Sequence, residues 1–91
     1  GMSLGAADEV VDVVVLGDGF VRHGARRIPR EAFVLELRQR GRAMTSAQLD
    51  ALRVQVWLAR DGGDATANDA DWLLGQLQII GVGQAQMKFQ R

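Results

Sequence analysis

The chain has 91 residues, of which 47% are hydrophobic and 24% charged, and its formal net charge is zero. This length and ordinary composition exclude a disordered chain and leave room for a single hydrophobic core. Because the sequence contains no cysteine, disulfides, thiol catalysis and cysteine zinc sites are excluded as well.

The first residues do not resemble part of a folded domain. Gly1 precedes Met2, which is typical of the residue left when an expression tag is cleaved. We therefore interpret residues 1–9 as a tag remnant and flexible N-terminus, and residues 10–91 as one domain. No apolar run approaches the roughly 20 residues of a bilayer-spanning helix, so no membrane segment is predicted. If Met2 is the native start, the expected location is cytoplasmic.

The first third of the domain predicts three strands. Valines recur through Val11–Val15, which is typical of a buried strand. Gly17-Asp18-Gly19 then supplies a turn in which positive φ is tolerated. Phe20–His23 and Ala25–Ile28 predict the arms of a tight hairpin with His23-Gly24 at its tip.

A helix, a connection and a fourth strand follow. The helix is expected to begin near Pro29, because proline suits the first helical position, and to end at Gly41. Residues 42–51 predict a polar connection in which Ser46 can cap one short helical turn. The alternation over Leu52–Arg60 predicts a second long strand.

The last third predicts a second helix and a final strand. The helix is expected over Asn68–Ile80, with Asn68 or Thr66 as its N-cap and a full apolar face at helical spacing. The strand Gln84–Phe89 alternates between apolar and polar residues. Three of its residues are expected to face inward: Ala85, Met87 and Phe89.

The order of elements fixes the predicted fold class. It is β-β-β-α-β-α-β, and two right-handed crossovers place both helices on the same face of the sheet. We therefore predict an α/β (α+β) two-layer sandwich, in which one mixed sheet carries two helices on one face and leaves the other face open.

Few residues have the chemistry for catalysis. His23 is the only imidazole, and no nucleophile-elbow motif accompanies it, so we interpret it as a turn residue and predict no catalytic site. Gly17-Asp18-Gly19 lacks the third glycine and the helix of a dinucleotide-binding motif. The acidic segment lacks the spacing of an EF-hand loop, so no metal or cofactor is predicted. Loop termination and helix capping explain its members: Asp61, Asp64, Asn68, Asp69 and Asp71.

A basic segment leaves one alternative function open. Seven arginines lie between Arg22 and Arg42, against two glutamates, which suits a small module that binds anions or nucleic acid. No aromatic residue is interleaved for base stacking, so pairing with nearby carboxylates is the preferred interpretation and nucleic acid is not the expected partner. The candidate anion-binding residues are Arg26, Arg27, Arg30, Arg38, Arg40 and Arg42.

Two tryptophans and one isoleucine are candidates for a protein interface. Trp57 is expected on the sheet face opposite the helices, whereas Trp72 and Ile79 are seven residues apart and away from the core face of the second helix. Tryptophan is enriched at interfaces, where a partly exposed ring anchors a partner. The alternative interpretation is that these side chains complete the edge of a small core.

Taken together, these elements resemble the soluble domain of the ExbD/TolR family of biopolymer-transport proteins. The similar stretches are DVVVLGDGFVRHGARRIPREAFVLELR (residues 12–38) and VQVWLARDGGDATANDADWLLGQLQIIGVGQAQMKF (residues 54–89). Four residues stand at family-like positions: Gly19, Gly24, Asp61 and Gly81.

The resemblance implies a non-enzymatic domain that forms a homodimer beside a proton-driven inner-membrane motor. The partners it implies are an energy-transducing protein or the cell wall. Family members carry an N-terminal transmembrane helix with a proton-relay aspartate, and often an aromatic residue where Ala67 and Asn68 stand here; this sequence has neither. The expectation is therefore a periplasmic domain if a transmembrane helix has been removed, and otherwise a stand-alone relative.

Overall fold

The computed structural model of the chain describes residues 9–60 and 63–89. Of the predicted tag remnant and flexible N-terminus over residues 1–9, residues 1–8 lie outside the described residues, and so does the family-like Asp61. The described elements are β1 (Val10–Val15), β2 (Phe20–His23), β3 (Arg26–Pro29), α1 (Arg30–Arg42), α2 (Ser46–Ala51), β4 (Arg53–Leu58), α3 (Gly63–Ile80) and β5 (Gln84–Phe89). The predicted order is confirmed, with the short α2 added between α1 and β4.

The strands form one mixed sheet in the order β3-β2-β1-β4-β5. The β1–β2 and β2–β3 pairs are antiparallel, whereas β1–β4 and β4–β5 are parallel. Parallel neighbours need a crossover, and the helices α1 and α3 lie in the two crossovers. The first strand of the chain therefore lies in the middle of the sheet, and β3 and β5 form its edges.

Both long helices pack on one face of this sheet, as predicted. Alternate residues of β1 and β4 point into the helix layer, where Val13 and Val56 are completely buried. The helices contribute buried apolar side chains to the same cluster: Phe33, Val34 and Leu37 from α1, and Ala70, Leu73 and Leu77 from α3. Because a fully buried aliphatic or aromatic side chain contributes roughly 1.5–3 kcal/mol, this single layer stabilises the domain.

Two connections differ from their expected form. The turn of the hairpin is Gly24-Ala25 rather than His23-Gly24, because His23 still pairs with a residue of β3. In α2 the N-cap is Thr45 and not Ser46: the Thr45 hydroxyl accepts from the backbone N–H of Gln48, and the Gln48 side chain accepts from the N–H of Thr45. This reciprocal pair of bonds stabilises the short helix, which lies where one helical turn was expected.

The helix α3 begins at Gly63, five residues before the expected start. Neither Thr66 nor Asn68 is therefore an N-cap. The Thr66 hydroxyl instead donates to the carbonyl of Gly63 at 2.8 Å inside the helix, which satisfies this buried polar group. Of the helices in the described part of the chain, none is long and apolar enough to cross a bilayer.

Candidate interaction surfaces

The edge strand β5 presents an apolar side that the helices do not fully cover. Ala85, Met87 and Phe89 point toward the helix layer as predicted, but only Met87 is half-buried. Phe89 is 70% exposed, and Ala85 is exposed as well. Ala85 and Phe89 thus face inward without being buried, because the buried residues of α3 lie in one cluster with those of β1 and β4 and leave the edge strand largely uncovered.

A groove continues this apolar side at the end of β5. It has a volume of about 280 Å³, and Phe89 lies at its border next to Leu58 of β4 and Ala67 of α3. The groove is open to solvent, and the exposed phenyl ring makes it an apolar depression beside a free strand edge. Such a combination suits contact with an extended segment.

The backbone of β5 also offers hydrogen-bonding groups to a partner. The N–H of Gln84 donates to the carbonyl of Leu52, on the β4 side of the strand. In a parallel ladder, alternate residues bond to the same neighbour, so the N–H groups of Ala85, Met87 and Phe89 point away from the sheet. Unpaired groups of this kind are a template for another strand.

Ile79 lies in a second groove, between the ends of α1 and α3. It is 73% exposed, and it lines a groove of about 410 Å³ together with Ile80, Gly41 and two arginines, Arg38 and Arg42. The structure thus brings an interface candidate and two anion candidates to one surface. Sequence reasoning missed this combination, because the two groups lie on different helices about 40 positions apart.

Trp72 lies at the edge of the core, which is the second of the two interpretations that the sequence left open. Its side chain is half-buried against the core cluster, and the guanidinium carbon of Arg30 lies 4.4 Å from the centre of the indole ring. Arg30 also donates to Asp69 at 2.6 Å, and Asp69 accepts a second bond from the N–H of Gly19 at 3.3 Å. These contacts join the β1–β2 turn, α1 and α3, so Trp72 takes part in an internal clamp.

Trp57 lies on the open face of the sheet, as predicted. Its indole Nε1 donates to a carboxylate oxygen of Asp12 on β1 at 2.9 Å, and the residue is half-buried. The bond fixes the orientation of the ring across two neighbouring strands, since a buried or half-buried indole N–H needs an acceptor.

The six candidate anion-binding arginines do not form one patch. Arg26 pairs with Glu36 at 2.6 Å, Arg27 with Asp18 at 2.5 Å, and Arg40 with Glu9. Arg30 belongs to the clamp described above, and Arg38 and Arg42 line the groove at Ile79. Four of the six are therefore engaged by carboxylates on different surfaces, in agreement with the preferred interpretation of the basic segment.

The ion pairs also affect two exposed carboxyl groups. The hydrogen bond from Arg27 lowers the pKa of Asp18 below its ordinary value, with the backbone N–H of Phe20 adding to the effect. A backbone N–H bond, with Arg30 second, lowers the pKa of Glu31. Both groups stay ionised to lower pH than a free carboxyl group.

The remaining titratable candidates lie apart from these surfaces. His23 is half-buried and contacts the ring of Phe33 edge-on, with the ring centres 5.3 Å apart. Asp64 lies in the first turn of α3, while Asp69 takes part in the clamp. Within residues 9–60 and 63–89, no three side chains of histidine, cysteine, aspartate or glutamate converge as metal ligands would.

Comparison of the chain with protein-family models, with curated proteins and with solved structures yields no match. The surfaces themselves are therefore the basis for a functional interpretation.

Proposed function

We propose that this chain is a non-enzymatic protein-interaction and assembly domain that forms a homodimer through the free edge of β5. The observation that carries the proposal is the exposed apolar side of that strand. Phe89 is 70% exposed beside a groove of about 280 Å³, on a strand whose outer N–H groups face no other strand of the described residues. Strand addition at such an edge uses backbone bonds for affinity and side-chain pockets for specificity.

A two-fold axis is compatible with this strand. In a symmetric dimer the same strand of each protomer meets its copy, which requires antiparallel pairing. An axis through Met87 sets Ala85 of one protomer opposite Phe89 of the other, on the same side of the sheet. The small exposed alanine leaves room for the phenyl ring, and the two five-stranded sheets become one sheet of ten strands.

The ExbD/TolR resemblance places this proposed dimer in a wider role. In that role the dimer lies in the periplasm and contacts an energy-transducing protein or the cell wall beside an inner-membrane motor. Support for the role is the order of strands and helices and the apolar edge. Co-sedimentation with purified peptidoglycan tests the cell-wall partner: protein that stays in the supernatant at every concentration excludes it.

Self-association is tested by size-exclusion chromatography with light scattering over a range of micromolar concentrations. We expect a dimer, and we expect Phe89→Glu to raise its dissociation constant about tenfold or more, because a charge replaces an apolar side chain in the contact. Leu35→Glu is the matched control, since Leu35 is 53% exposed on α1, a helix that packs on β2 and β3 at the opposite side of the sheet from β5. A protein that is monomeric at all concentrations contradicts the proposal.

The groove at Ile79 is the competing dimer surface. Ile79→Glu introduces the same charge on the helix layer, and under the proposal it leaves the association unchanged. Dissociation by Ile79→Glu but not by Phe89→Glu overturns the assignment of the interface to β5.

A further inference from the structure

The open face of the sheet carries a row of side chains that crosses all five strands. The pairing register gives this cross-sheet row, from β3 to β5: Arg27, Arg22, Val14, Trp57 and Lys88. Residues directly opposite one another in a sheet share a face, so the five side chains lie on one side. Since neighbouring strands are about 4.8 Å apart, the cross-sheet row is about 19 Å long. It has cations at both ends and an indole ring between them.

The open face carries more positive than negative side chains, although the formal net charge of the whole chain is zero. The five strands carry one acidic residue, Asp12, and it is engaged by the Trp57 indole. In the cross-sheet row, Arg27 is paired with Asp18 of the β1–β2 turn. Three further cations of the face form no ion pair within residues 9–60 and 63–89: Arg22, Arg53 and Lys88.

Trp57 has the properties of a stacking platform. Its ring is held by the bond to Asp12 and is partly exposed in the cross-sheet row, between Val14 and Lys88. The next row toward the start of β4 adds two amides, Gln55 and Gln86, which lie opposite each other and offer both donors and acceptors. Aromatic rings beside cations on an open surface are how single-stranded nucleic acids are bound without strong sequence preference.

We propose that the open face of the sheet binds single-stranded nucleic acid, with its phosphates along the cross-sheet row and a base stacked on Trp57. Arg22 and Lys88, the two cations of the cross-sheet row without an ion pair in the described residues, supply charge complementarity to the phosphates, and Arg53 adds charge on the same face toward the start of β4. The fixed indole selects an unstacked base. A duplex keeps its bases stacked inside and cannot offer one to Trp57. This surface is separate from the β5 edge, so the inference does not depend on the proposed homodimer.

Fluorescence of Trp57 gives the direct test. The experiment uses the Trp72→Phe variant, in which Trp57 is the only tryptophan of the sequence and an aromatic ring is kept under Arg30. The probe is single-stranded oligo(dT) of about eight nucleotides at low salt. We expect saturable quenching, and an affinity that falls with salt with a log–log slope of about −2 if three phosphates are contacted.

Substitutions on the open face of the sheet are compared with one in the helix layer. For each variant, the affinity for labelled oligo(dT) and its dependence on salt are measured by fluorescence anisotropy. Trp57→Ala is expected to weaken binding roughly 5- to 100-fold, and Trp57→Phe to restore most of it. Arg22→Ala is expected to lower the salt slope by about 0.7. Arg42→Ala removes the same charge from α1, in the helix layer, and is expected to leave both quantities unchanged.

Each alternative result contradicts the proposal. It is overturned if oligo(dT) does not quench Trp57 at low salt, or if Arg42→Ala weakens binding as much as Arg22→Ala. Equal affinity for duplex DNA, or for poly-glutamate, means that charge alone drives binding and that no base stacks on the indole. If Trp57→Ala fails to fold, which circular dichroism would show, the quenching of Trp57 and the comparison of Arg22→Ala with Arg42→Ala still test the proposal.

Discussion

The two edges of the sheet are built differently. The strand β3 has four residues, ends in Pro29, and carries Arg26 and Arg27, each in an ion pair. The strand β5 has six residues, no proline and one charged residue, Lys88. Short length, proline and charge are the features by which proteins prevent strands from pairing at an edge. The difference indicates that β3 is protected against pairing and that β5 is available for it.

The largest effect is expected where the chain enters β5. A Cβ atom at Gly83 would lie 2.0 Å from the backbone carbonyl oxygen of Asp50, so Gly83→Ala must displace the strand. We expect a loss of about 3 kcal/mol of unfolding free energy, measured by urea denaturation. Gly75→Ala is the control: a Cβ there meets nothing within 4 Å, and the helix is expected to gain about 0.5–1 kcal/mol. Equal effects of the two substitutions would contradict the close approach.

Proline at neighbouring positions separates the two sides of β5. Gln86→Pro removes an N–H that bonds to β4 and is expected to cost about 1–3 kcal/mol of stability. Ala85→Pro removes an N–H that points outward, so it should leave stability nearly unchanged and abolish the association. Denaturation and light scattering on both variants check this. An Ala85→Pro variant that still forms dimers would exclude edge pairing.

The protected edge is expected to respond weakly to loss of its charges. The side chains of Arg26 and Glu36 are 57% and 43% exposed, and exposed pairs of this kind contribute about 0–1 kcal/mol. We expect Arg26→Ala to lower the unfolding free energy by at most about 0.5 kcal/mol, a value to be measured by urea denaturation. A much larger loss would mean that this pair anchors β3 to α1 rather than only shielding the edge.

The smallest effect is expected from pH. Because the pKa of Asp18 is lowered in the folded state, chiefly by its bond from Arg27, the stabilisation is present above the ordinary carboxyl pKa. It is lost as the pH falls through the lowered value. NMR titration of Asp18 in Arg27→Ala should show its pKa moving back up toward the ordinary value. An unchanged pKa would assign the shift to the backbone N–H of Phe20 instead.

The order of strands and helices could be predicted from the sequence, but the burial of individual side chains could not. The alternation over Gln84–Phe89 predicted the correct direction of every apolar side chain in β5. It did not predict that Phe89 stays exposed, because burial depends on whether α3 reaches the edge strand. Likewise, Gly63 and Asp64 resembled part of a loop, and only packing of the following apolar face shows that the helix includes these two residues.

The candidate surfaces were harder to predict for a related reason. Trp57 was expected on the open face, yet its position in one row with Arg22 depends on the strand order and on register across three strands. The sequence predicted that arginines of the basic segment pair with nearby carboxylates, but it did not predict which residues form each pair. The clamp of Arg30, Asp69 and Gly19 joins residues up to 50 positions apart, and no local pattern predicts such a contact.

The central position of β1 has a consequence for synthesis on the ribosome. Val10 pairs with Arg53, so one flank of β1 lacks its neighbour until about 43 more residues have been added. At roughly 5–20 residues per second, this interval lasts about 2–9 s. During it, the nascent valine-rich segment is exposed to aggregation and to chaperones, and the early β2–β3 hairpin shields only its other flank.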